Sequence, residues 1–266
     1  MKEPFPAIDP RAARRRSERS AASYAGASRI EAEVGARMLE RLDYVKIAPR
    51  RILDAGSGPA REAKALLRRY PKAQFLALDF ALPRLRRRFL EKRILVCGDI
   101  VQLPLAEGSV DLVWSNMALH WAADPQRALR EFERVLAPEG LLMLSTLGPD
   151  TLKELRAAAG AGRVHAFADM HDLGDMLLAA GLAGPVMDME MLTLAYAAPE
   201  RLLRDLRESG QTSALAGRPQ GLAGRAFGER LRRGLGDKPL ATFEVVYGHA
   251  WKAQEVKTVR VFKSIS

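Results

Sequence analysis

Cysteine and histidine are scarce in this chain, and their scarcity excludes several kinds of protein. The 266 residues include one cysteine, Cys97, which excludes an internal disulfide framework and fits a reducing compartment. Of the four histidines, only His165 and His171 lie near each other, without cysteine or carboxylate neighbours at the spacing of a zinc site. We therefore predict no metal centre.

Long apolar runs are also absent. None reaches the ~18 residues that a membrane-spanning helix needs, and the N-terminal residues lack the apolar core of a signal peptide. With 266 residues, 48% of them hydrophobic, the chain is long enough to fold around its own core. We expect a cytoplasmic, monomeric protein that does not contact a membrane.

Aromatic residues are few, at 6%, whereas Lys and Arg outnumber Asp and Glu by 42 to 32, a net charge of +10. Such a surface favours anionic partners. The arginines form three runs at helical spacing: Arg14–Arg16 with Arg19, Arg84 with Arg86–Arg88, and Arg230 with Arg232 and Arg233. Aromatic residues do not interleave with them as in proteins that stack single-stranded nucleic acid. We predict an acidic protein partner and no nucleic acid.

The N-terminal residues predict a loose arm followed by one helix. Residues 1–22 are rich in Arg, Ala, Ser and Pro, and the first ten residues, three of them prolines, predict a loose arm. From Ala21 to Leu42, apolar residues recur every four positions, which predicts a helix with one buried stripe. The stripe consists of Ile30, Val34, Met38 and Leu42.

Strand and helix patterns alternate through the middle of the chain. The predicted strands are Arg51–Ala55, Gln74–Leu78, Ile94–Cys97, Val110–Ser115 and Leu141–Ser145. The predicted helices are Arg61–Arg69, Pro83–Lys92 and Pro125–Leu136, with a turn at Pro138–Gly140. This alternation is typical of an α/β protein with a doubly wound parallel sheet, whose ligand binds at the carboxyl ends of the strands.

The second half of the chain predicts further helices and strands around a loop. The helices are residues 151–160 and 169–180, Pro199–Glu208 and Phe227–Leu235. The strands are Val186–Leu194, Thr242–Tyr247 and Glu255–Lys263. Residues 209–224 are rich in Gly and Ser and predict a loop.

Polar residues and glycines follow four of the predicted strands. Gly56 and Gly58 allow a ligand to approach the backbone, because they lack a Cβ and tolerate positive φ. Asp79 ends the second strand, where a carboxylate can accept both hydroxyls of a ribose. Asp99 follows the third strand, where it can accept an adenine amino proton, and Asn116 ends the fourth. Each acid alone is equally well explained as a turn residue.

The order and spacing of these segments resemble class I S-adenosylmethionine-dependent methyltransferases. The matching segments are residues 53–58, 77–79, 98–100, 103–105, 111–116 and 136–140. The resemblance implies a Rossmann-like, mostly parallel seven-stranded sheet and S-adenosylmethionine as cofactor. It implies cofactor-binding roles for Asp54, Gly56, Ser57, Gly58, Asp79, Phe80, Asp99, Ile100 and Asn116. Residues 1–45 would be an N-terminal arm and lid helix, 46–150 the cofactor-binding half, and 151–266 a substrate-side half with a helical insertion.

Further segments resemble the BioC-type malonyl-acyl carrier protein O-methyltransferases of biotin synthesis. They are residues 20–24, 115–121, 145–148 and 242–251. The resemblance implies methyl transfer to the free carboxyl of a malonyl thioester, carried by an acidic acyl carrier protein or by coenzyme A. It assigns catalytic roles to Tyr24, Asn116 and His120. Contacts to substrate are expected from Tyr24, His120, Trp121, Arg204 and Arg218.

Two departures from the family pattern leave other functions open. Ala60 stands where the family has its third glycine, and Phe80-Ala81 replaces a small polar residue after Asp79. An alanine at residue 60 impairs the loop if its φ is positive. The alternatives are a protein like the complex I assembly factor that resembles an arginine hydroxylase, and a non-catalytic assembly protein of the same fold.

Overall fold

The computed structural model describes residues 7–85, 93–160, 162–219, 221 and 223–254. Within them, seven strands form one sheet in the order β3-β2-β1-β4-β5-β7-β6. The strands are β1 Arg51–Ala55, β2 Gln74–Asp79, β3 Arg93–Cys97, β4 Val110–Ser115, β5 Leu136–Leu147, β6 Leu182–Ala195 and β7 Leu240–Lys252. Strands β1 to β5 pair in parallel, whereas β7 is antiparallel to β5 and β6. The predicted doubly wound, mostly parallel sheet is confirmed.

Helices cover both faces of this sheet. They are α1 Pro10–Ser20, α2 Tyr24–Ala27, α3 Arg29–Arg41, α4 Ala63–Arg69, α5 Pro125–Val135, α6 Lys153–Ala159, α7 Met170–Ala179, α8 Pro199–Glu208 and α9 Gly224–Leu235. Apolar residues of α3, α4, α6, α8 and α9 share one buried cluster, and those of α5 and α7 share a second. Because both faces are covered, strands such as β1 are buried along nearly their whole length.

The strand order reverses on either side of β1, which pairs with β2 on one edge and β4 on the other. In doubly wound sheets this reversal opens a crevice beyond the carboxyl ends of the strands. Asp54 of β1 lies beside Trp114 of β4, and Ala55 lies beside Leu78 of β2. The register therefore brings the glycine loop, Asp79 and Asn116 to one edge of the sheet.

The helix α1, Pro10–Ser20, begins where the loose arm predicted for the first ten residues ends, and no bounds for it are predicted from the sequence. Asp9 caps the helix by accepting hydrogen bonds from the amides of Arg11 and Ala12, and Pro10 occupies the first helical position. Small side chains on the inner side form a third, separate cluster. It consists of Ala12, Ala13 and Ala214, with Ile8, Phe80 and Trp121 packed against it.

The single helix predicted from Ala21 to Leu42 is divided into α2 and α3. Ser28 lies between them with ψ at 59°, outside the helical region. The Arg61 guanidinium holds this break by donating to the Ser28 hydroxyl at 2.7 Å and to the Ala25 carbonyl at 3.2 Å. The predicted apolar stripe is nevertheless buried as expected, with Met38 fully covered.

Other boundaries differ by smaller amounts. The predicted turn at Pro138–Gly140 is an irregularity within β5, where four residues lie between the pairs Val110–Leu136 and Leu112–Leu141. Strands β6 and β7 extend beyond their predicted ends. Of the helix predicted for Pro83–Lys92, the described part holds a single 3-10 turn at Leu82–Arg84. The strand predicted for Glu255–Lys263 lies outside the described residues.

Candidate functional site

A pocket lies beyond the carboxyl ends of β1, β2, β3 and β4. It holds about 790 Å³ of space unoccupied by protein atoms, its opening to solvent included. The pocket is lined by predicted site residues, by residues of α1 and by residues 209–211. The predicted residues that line it are Tyr24, Gly56, Asp79, Phe80, Asp99, Ile100, Asn116 and Trp121.

The glycine loop after β1 requires glycine for two reasons. Gly56 has φ at 77° and Gly58 has φ at 52°, in the left-handed region that side chains disfavour. A Cβ on Gly56 would lie 2.3 Å from the Cβ of Ala118. The amides of Gly56 and Ser57 both donate to the Leu78 carbonyl at 2.8 Å, which fixes the loop to β2. Ser57 and Gly58 do not line the pocket themselves.

Asp79 is the acidic residue at the centre of this loop structure. Its Oδ2 accepts from the Gly58 amide at 2.8 Å, and its Oδ1 accepts from the Ala81 amide at 2.7 Å. Burial raises the pKa of this carboxyl above its ordinary value, although both amide bonds oppose the shift. Each oxygen keeps a lone pair free for a further donor.

Asp54 is buried behind the pocket and does not line it. Its Oδ2 has no hydrogen-bond partner among the described residues. Burial, together with the nearby carboxyls of Glu62 and Asp79, raises the pKa of Asp54 well above its ordinary value. The base of the pocket is therefore acidic and poorly solvated.

The third strand contributes an exposed acid and a buried apolar residue. Asp99 lines the pocket, and its Oδ1 accepts from the Val101 amide at 3.1 Å. Ile100 lines the same part of the pocket and is 8% exposed. Phe80, which follows Asp79, also lines the pocket. A flat aromatic ligand would meet apolar side chains here, with a carboxylate at its edge.

Asn116 is held rigidly at the end of β4. Its amide nitrogen donates to the Glu31 carbonyl at 2.9 Å, and its Oδ1 accepts from the Ser145 hydroxyl at 2.9 Å. The Ser145 hydroxyl in turn accepts from the Met117 amide at 3.0 Å. Asn116 thus connects α3, β4 and β5 at the pocket wall.

Tyr24 and Arg84 cover the pocket together. The guanidinium of Arg84 lies 4.0 Å from the centre of the Tyr24 ring. It donates to the carbonyl of Ser17 at 3.2 Å and to the hydroxyl of Ser20 at 2.8 Å, so it also holds α1. A third, longer bond reaches the carbonyl of Ser209 at 3.4 Å. The sequence placed Arg84 in an arginine run and gave no signal of this bridging position.

Gln211 and Glu31 form a second connection that the sequence does not reveal. The Gln211 amide donates to the Glu31 carboxylate at 2.8 Å, joining the loop after α8 to the start of α3. Glu31 is 7% exposed, and burial raises its pKa. The pair is separated by 180 residues, so no local pattern links them.

His120 does not line the pocket; it faces a neighbouring cavity with Thr146 and Phe167. Its Nδ1 lies 3.3 Å from the Thr146 hydroxyl, and its Nε2 has no hydrogen-bond partner among the described residues. Burial lowers the pKa of His120 to about 3, so the ring is neutral near pH 7. Trp121, by contrast, lines the pocket and contacts the ring of His165.

The two arginines predicted to meet substrate do not line this pocket. Arg204 is exposed on α8 and does not line the pocket. Arg218 pairs with Asp9 at 3.1 Å and donates to the Leu215 carbonyl at 2.8 Å. Ala60 is buried with φ at 51°, so the missing glycine does leave the loop strained.

Two further properties of the described residues concern metal-binding groups and membrane-spanning helices. No group of three or more His, Cys, Asp or Glu side chains is arranged there to hold a metal ion. None of the helices in that part of the chain has the length and apolar character to traverse a bilayer.

Known proteins resemble this chain in both sequence and fold. Residues 53–144 match the family described as "Methyltransferase domain". A "Malonyl-[acyl-carrier protein] O-methyltransferase" of Methylovorus sp. (strain MP688) is 46% identical over 268 residues, covering 93% of this chain and 90% of the relative. A protein of the same name from Laribacter hongkongensis (strain HLHK9) is 49% identical over 258 residues, covering 88% and 86%.

One solved structure from Thermotoga maritima is described as a SAM-dependent methyltransferase, possible histamine N-methyltransferase. It superposes with a TM-score of 0.56 at 16% identity, covering 90% of this chain and 99% of that chain. At this identity, the likeness concerns the fold alone.

Proposed function

The chain belongs to the family of malonyl-[acyl-carrier protein] O-methyltransferases, and we propose that it methylates the free carboxylate of a malonyl thioester with S-adenosylmethionine. The observation that carries the proposal is 46% and 49% identity to two such proteins over most of both chains. We place the reaction in biotin synthesis, as the sequence resemblance implies. A cytoplasmic location stays a prediction.

The base of the pocket fits a positively charged cofactor. Burial raises the pKa of Asp79, which lines the pocket, and of Glu31, Asp54 and Glu62, which do not line it. A nearby positive charge would favour their ionised forms and partly offset the cost of burying them. When bound, S-adenosylmethionine supplies an electrophilic methyl group on a positive sulfonium.

Cofactor orientation falls to residues at three strand ends. Asp79 would accept the ribose hydroxyls with the lone pairs that Gly58 and Ala81 leave free. Asp99 would accept an adenine amino proton, and Ile100 and Phe80 would provide apolar contacts to the ring. Gly56 would allow the methionine portion to approach the backbone.

The substrate carboxylate is already ionised near neutral pH, so the protein has to align and desolvate it rather than remove a proton. Burial raises the pKa of Tyr24, which keeps the hydroxyl protonated and able to donate to a carboxylate. Arg84 supplies a positive charge beside Tyr24. Arg84 also holds helix α1, whose Pro10, Ala13 and Ser17 line the pocket.

Mass spectrometry of a malonyl-carrier protein after incubation with enzyme and S-adenosylmethionine tests the proposal. We expect the carrier to gain one methyl group, and removal of the malonyl carboxyl by using an acetyl-carrier protein should abolish the gain. An unchanged mass with the cofactor demonstrably bound would overturn the proposal. Rescue of a biotin-requiring bacterial strain tests the place in biotin synthesis.

The two alternatives give different results in the same assays. A non-catalytic assembly protein would show no binding heat with S-adenosylmethionine at millimolar concentration. An arginine hydroxylase would leave the malonyl-carrier protein unchanged and add oxygen to an arginine side chain. The full-length matches to proteins named O-methyltransferases favour methyl transfer.

A further inference from the structure

A cleft rich in arginine opens beside α1, separate from the cofactor pocket. Its lining includes five arginines, contributed by α1, by the end of α8 and by the loop that follows: Arg15, Arg16, Arg19, Arg207 and Arg218. Two carboxylates oppose them. Glu208 lies in the cleft, and Asp9 pairs with Arg218. Positive charge therefore remains in excess.

The arginines on α1 are held at one face of the helix. Arg19 is four residues from Arg15 and three from Arg16, so its side chain neighbours both on one side of the helix. The Arg16 Nε donates to the Thr212 hydroxyl at 2.8 Å, which fixes that guanidinium against the opposite wall. Burial and the charge of Arg218 lower the pKa of Arg16, as expected for guanidinium groups that repel one another. An anion in the cleft would relieve this repulsion.

The cleft adjoins the cofactor pocket at residues 210–212. Gly210 lines both spaces. An apolar cavity between α6, α8 and α9 extends the connection, because Arg207 and Thr212 line it together with the cleft, and Gln211 and Trp121 line it together with the pocket. A long ligand could thus have one end at the cofactor and an anionic group among the arginines.

We propose that this cleft binds the phosphate group of the phosphopantetheine arm that carries the malonyl thioester. Acyl carrier proteins hold their acyl groups on such an arm, which a phosphodiester joins to the carrier. Guanidinium groups bind phosphate oxygens in pairs, with geometry that ammonium groups lack. The inference rests on the proposed function, because it takes the thioester substrate from it.

Two double arginine variants distinguish phosphate binding in the cleft from general attraction of an anion to the positive charge of α1. The cleft variant is Arg15→Gln with Arg19→Gln, two exposed residues of α1. The control is Arg11→Gln with Arg14→Gln, which removes the same charge from the same helix but from residues that do not line the cleft. Malonyl-phosphopantetheine and malonyl-pantetheine serve as substrates that differ only in the phosphate.

We expect the cleft variant to raise KM for malonyl-phosphopantetheine about tenfold, with kcat and cofactor binding unchanged. KM for malonyl-pantetheine should stay as in the wild type. The control variant should change neither KM by more than about twofold, since attraction between exposed charges is screened. An equal rise in KM for both substrates, or an equal rise in both variants, would overturn the proposal.

Calorimetry with phosphopantetheine alone separates this inference from the proposed function. Binding to the wild type that is stronger than binding of pantetheine, and that weakens in the cleft variant, supports the cleft even if no methyl transfer occurs. Methyl transfer to malonyl-carrier protein without such a phosphate effect would retain the proposed function and reject the cleft.

Discussion

The amide of Gly58 donates a 2.8 Å hydrogen bond to Oδ2 of Asp79, which makes the loop after β1 and the end of β2 one structural unit. A change in Asp79 therefore alters both a direct ligand contact and the shape of the glycine loop. The same side chain also holds the Ala81 amide. Cofactor binding and loop geometry are coupled at this single carboxylate.

We expect Asp79→Ala to weaken S-adenosylmethionine binding by about 1–3 kcal/mol through loss of charged hydrogen bonds. Asp111→Ala is the matched control. Asp111 also accepts two backbone amides, those of Arg50 and Arg51 at 2.9 Å, but at the opposite ends of the strands. Titration calorimetry should give a raised Kd for the first variant alone. A wild-type Kd in folded Asp79→Ala protein would refute the ribose assignment.

Replacing Ala60 by glycine tests whether the positive φ at this position strains the loop. Ala60 and Ala63 are buried to similar extents, at 5% and 4% exposed, but Ala60 has φ at 51° and Ala63 is in helix α4. Replacement by glycine removes a buried methyl group at both positions and loosens the unfolded chain at both. Because the left-handed conformation costs an alanine ~1–2 kcal/mol, Ala60→Gly should be less destabilising than Ala63→Gly by about that amount. Urea denaturation measures the difference, and equal losses would show that the loop is unstrained.

Arg84→Lys should release α1 while preserving the positive charge. Lysine lacks the planar fork that reaches Ser17 and Ser20 together. We expect amide hydrogen exchange in Pro10–Ser20 to become about 5–30-fold faster, equivalent to ~1–2 kcal/mol of local stability. Arg61→Lys is the control, since Arg61 holds the junction of α2 and α3 instead. Faster exchange of α1 in both variants, or in neither, would contradict the role of Arg84.

His165 should make the protein sensitive to acid. Its Nε2 accepts from the Ala214 amide at 2.7 Å, and burial, followed by the charge of Arg16, lowers its pKa to about 4. The unfolded chain, with an ordinary histidine pKa near ~6.5, binds a proton first as the pH falls. The stability that this neutral ring contributes is therefore complete above about pH 6.5 and is lost as the pH falls towards about 4.

The measurement compares the free energy of unfolding at pH 7 and pH 4.5 for wild type and His165→Gln. The buried carboxyls with raised pKa oppose the trend, so the difference between the two proteins is the informative quantity. It should change by on the order of 2 kcal/mol, with the wild type losing more. His171→Gln, which alters an exposed histidine of α7, should follow the wild type. Parallel curves for all three proteins would exclude a buried neutral His165.

The strand ends could be predicted because their signals are local. Apolar runs that stop at Asp54, Asp79 or Asn116 are visible within a few residues, and a parallel sheet places all such ends at one edge. The cover of the pocket could not be found in this way. Gln211 contacts Glu31 across 180 residues, and the helical spacing of the arginines in α1 does not indicate that this helix borders the pocket.

His120 faces a cavity that could not be predicted from the sequence, for a different reason. Its position four residues after Asn116 suggested a place at the reacting group. The chain turns between the two, however: Met117 has φ at 55°, and a 3-10 turn follows at Leu119–Trp121. The turn directs His120 to the neighbouring cavity and Trp121 to the pocket. The two neighbouring side chains enter different cavities because of the backbone conformation of this turn. The pattern of apolar residues in the sequence does not predict that conformation.

The apolar contacts of α1 lie in the small cluster of Ala12, Ala13 and Ala214, outside the two clusters that sandwich the sheet. Detaching this helix therefore leaves both large clusters intact. We therefore expect substitutions in α1 to change ligand entry more than they change heat tolerance. Selection, or an engineer, could change either property without altering the other.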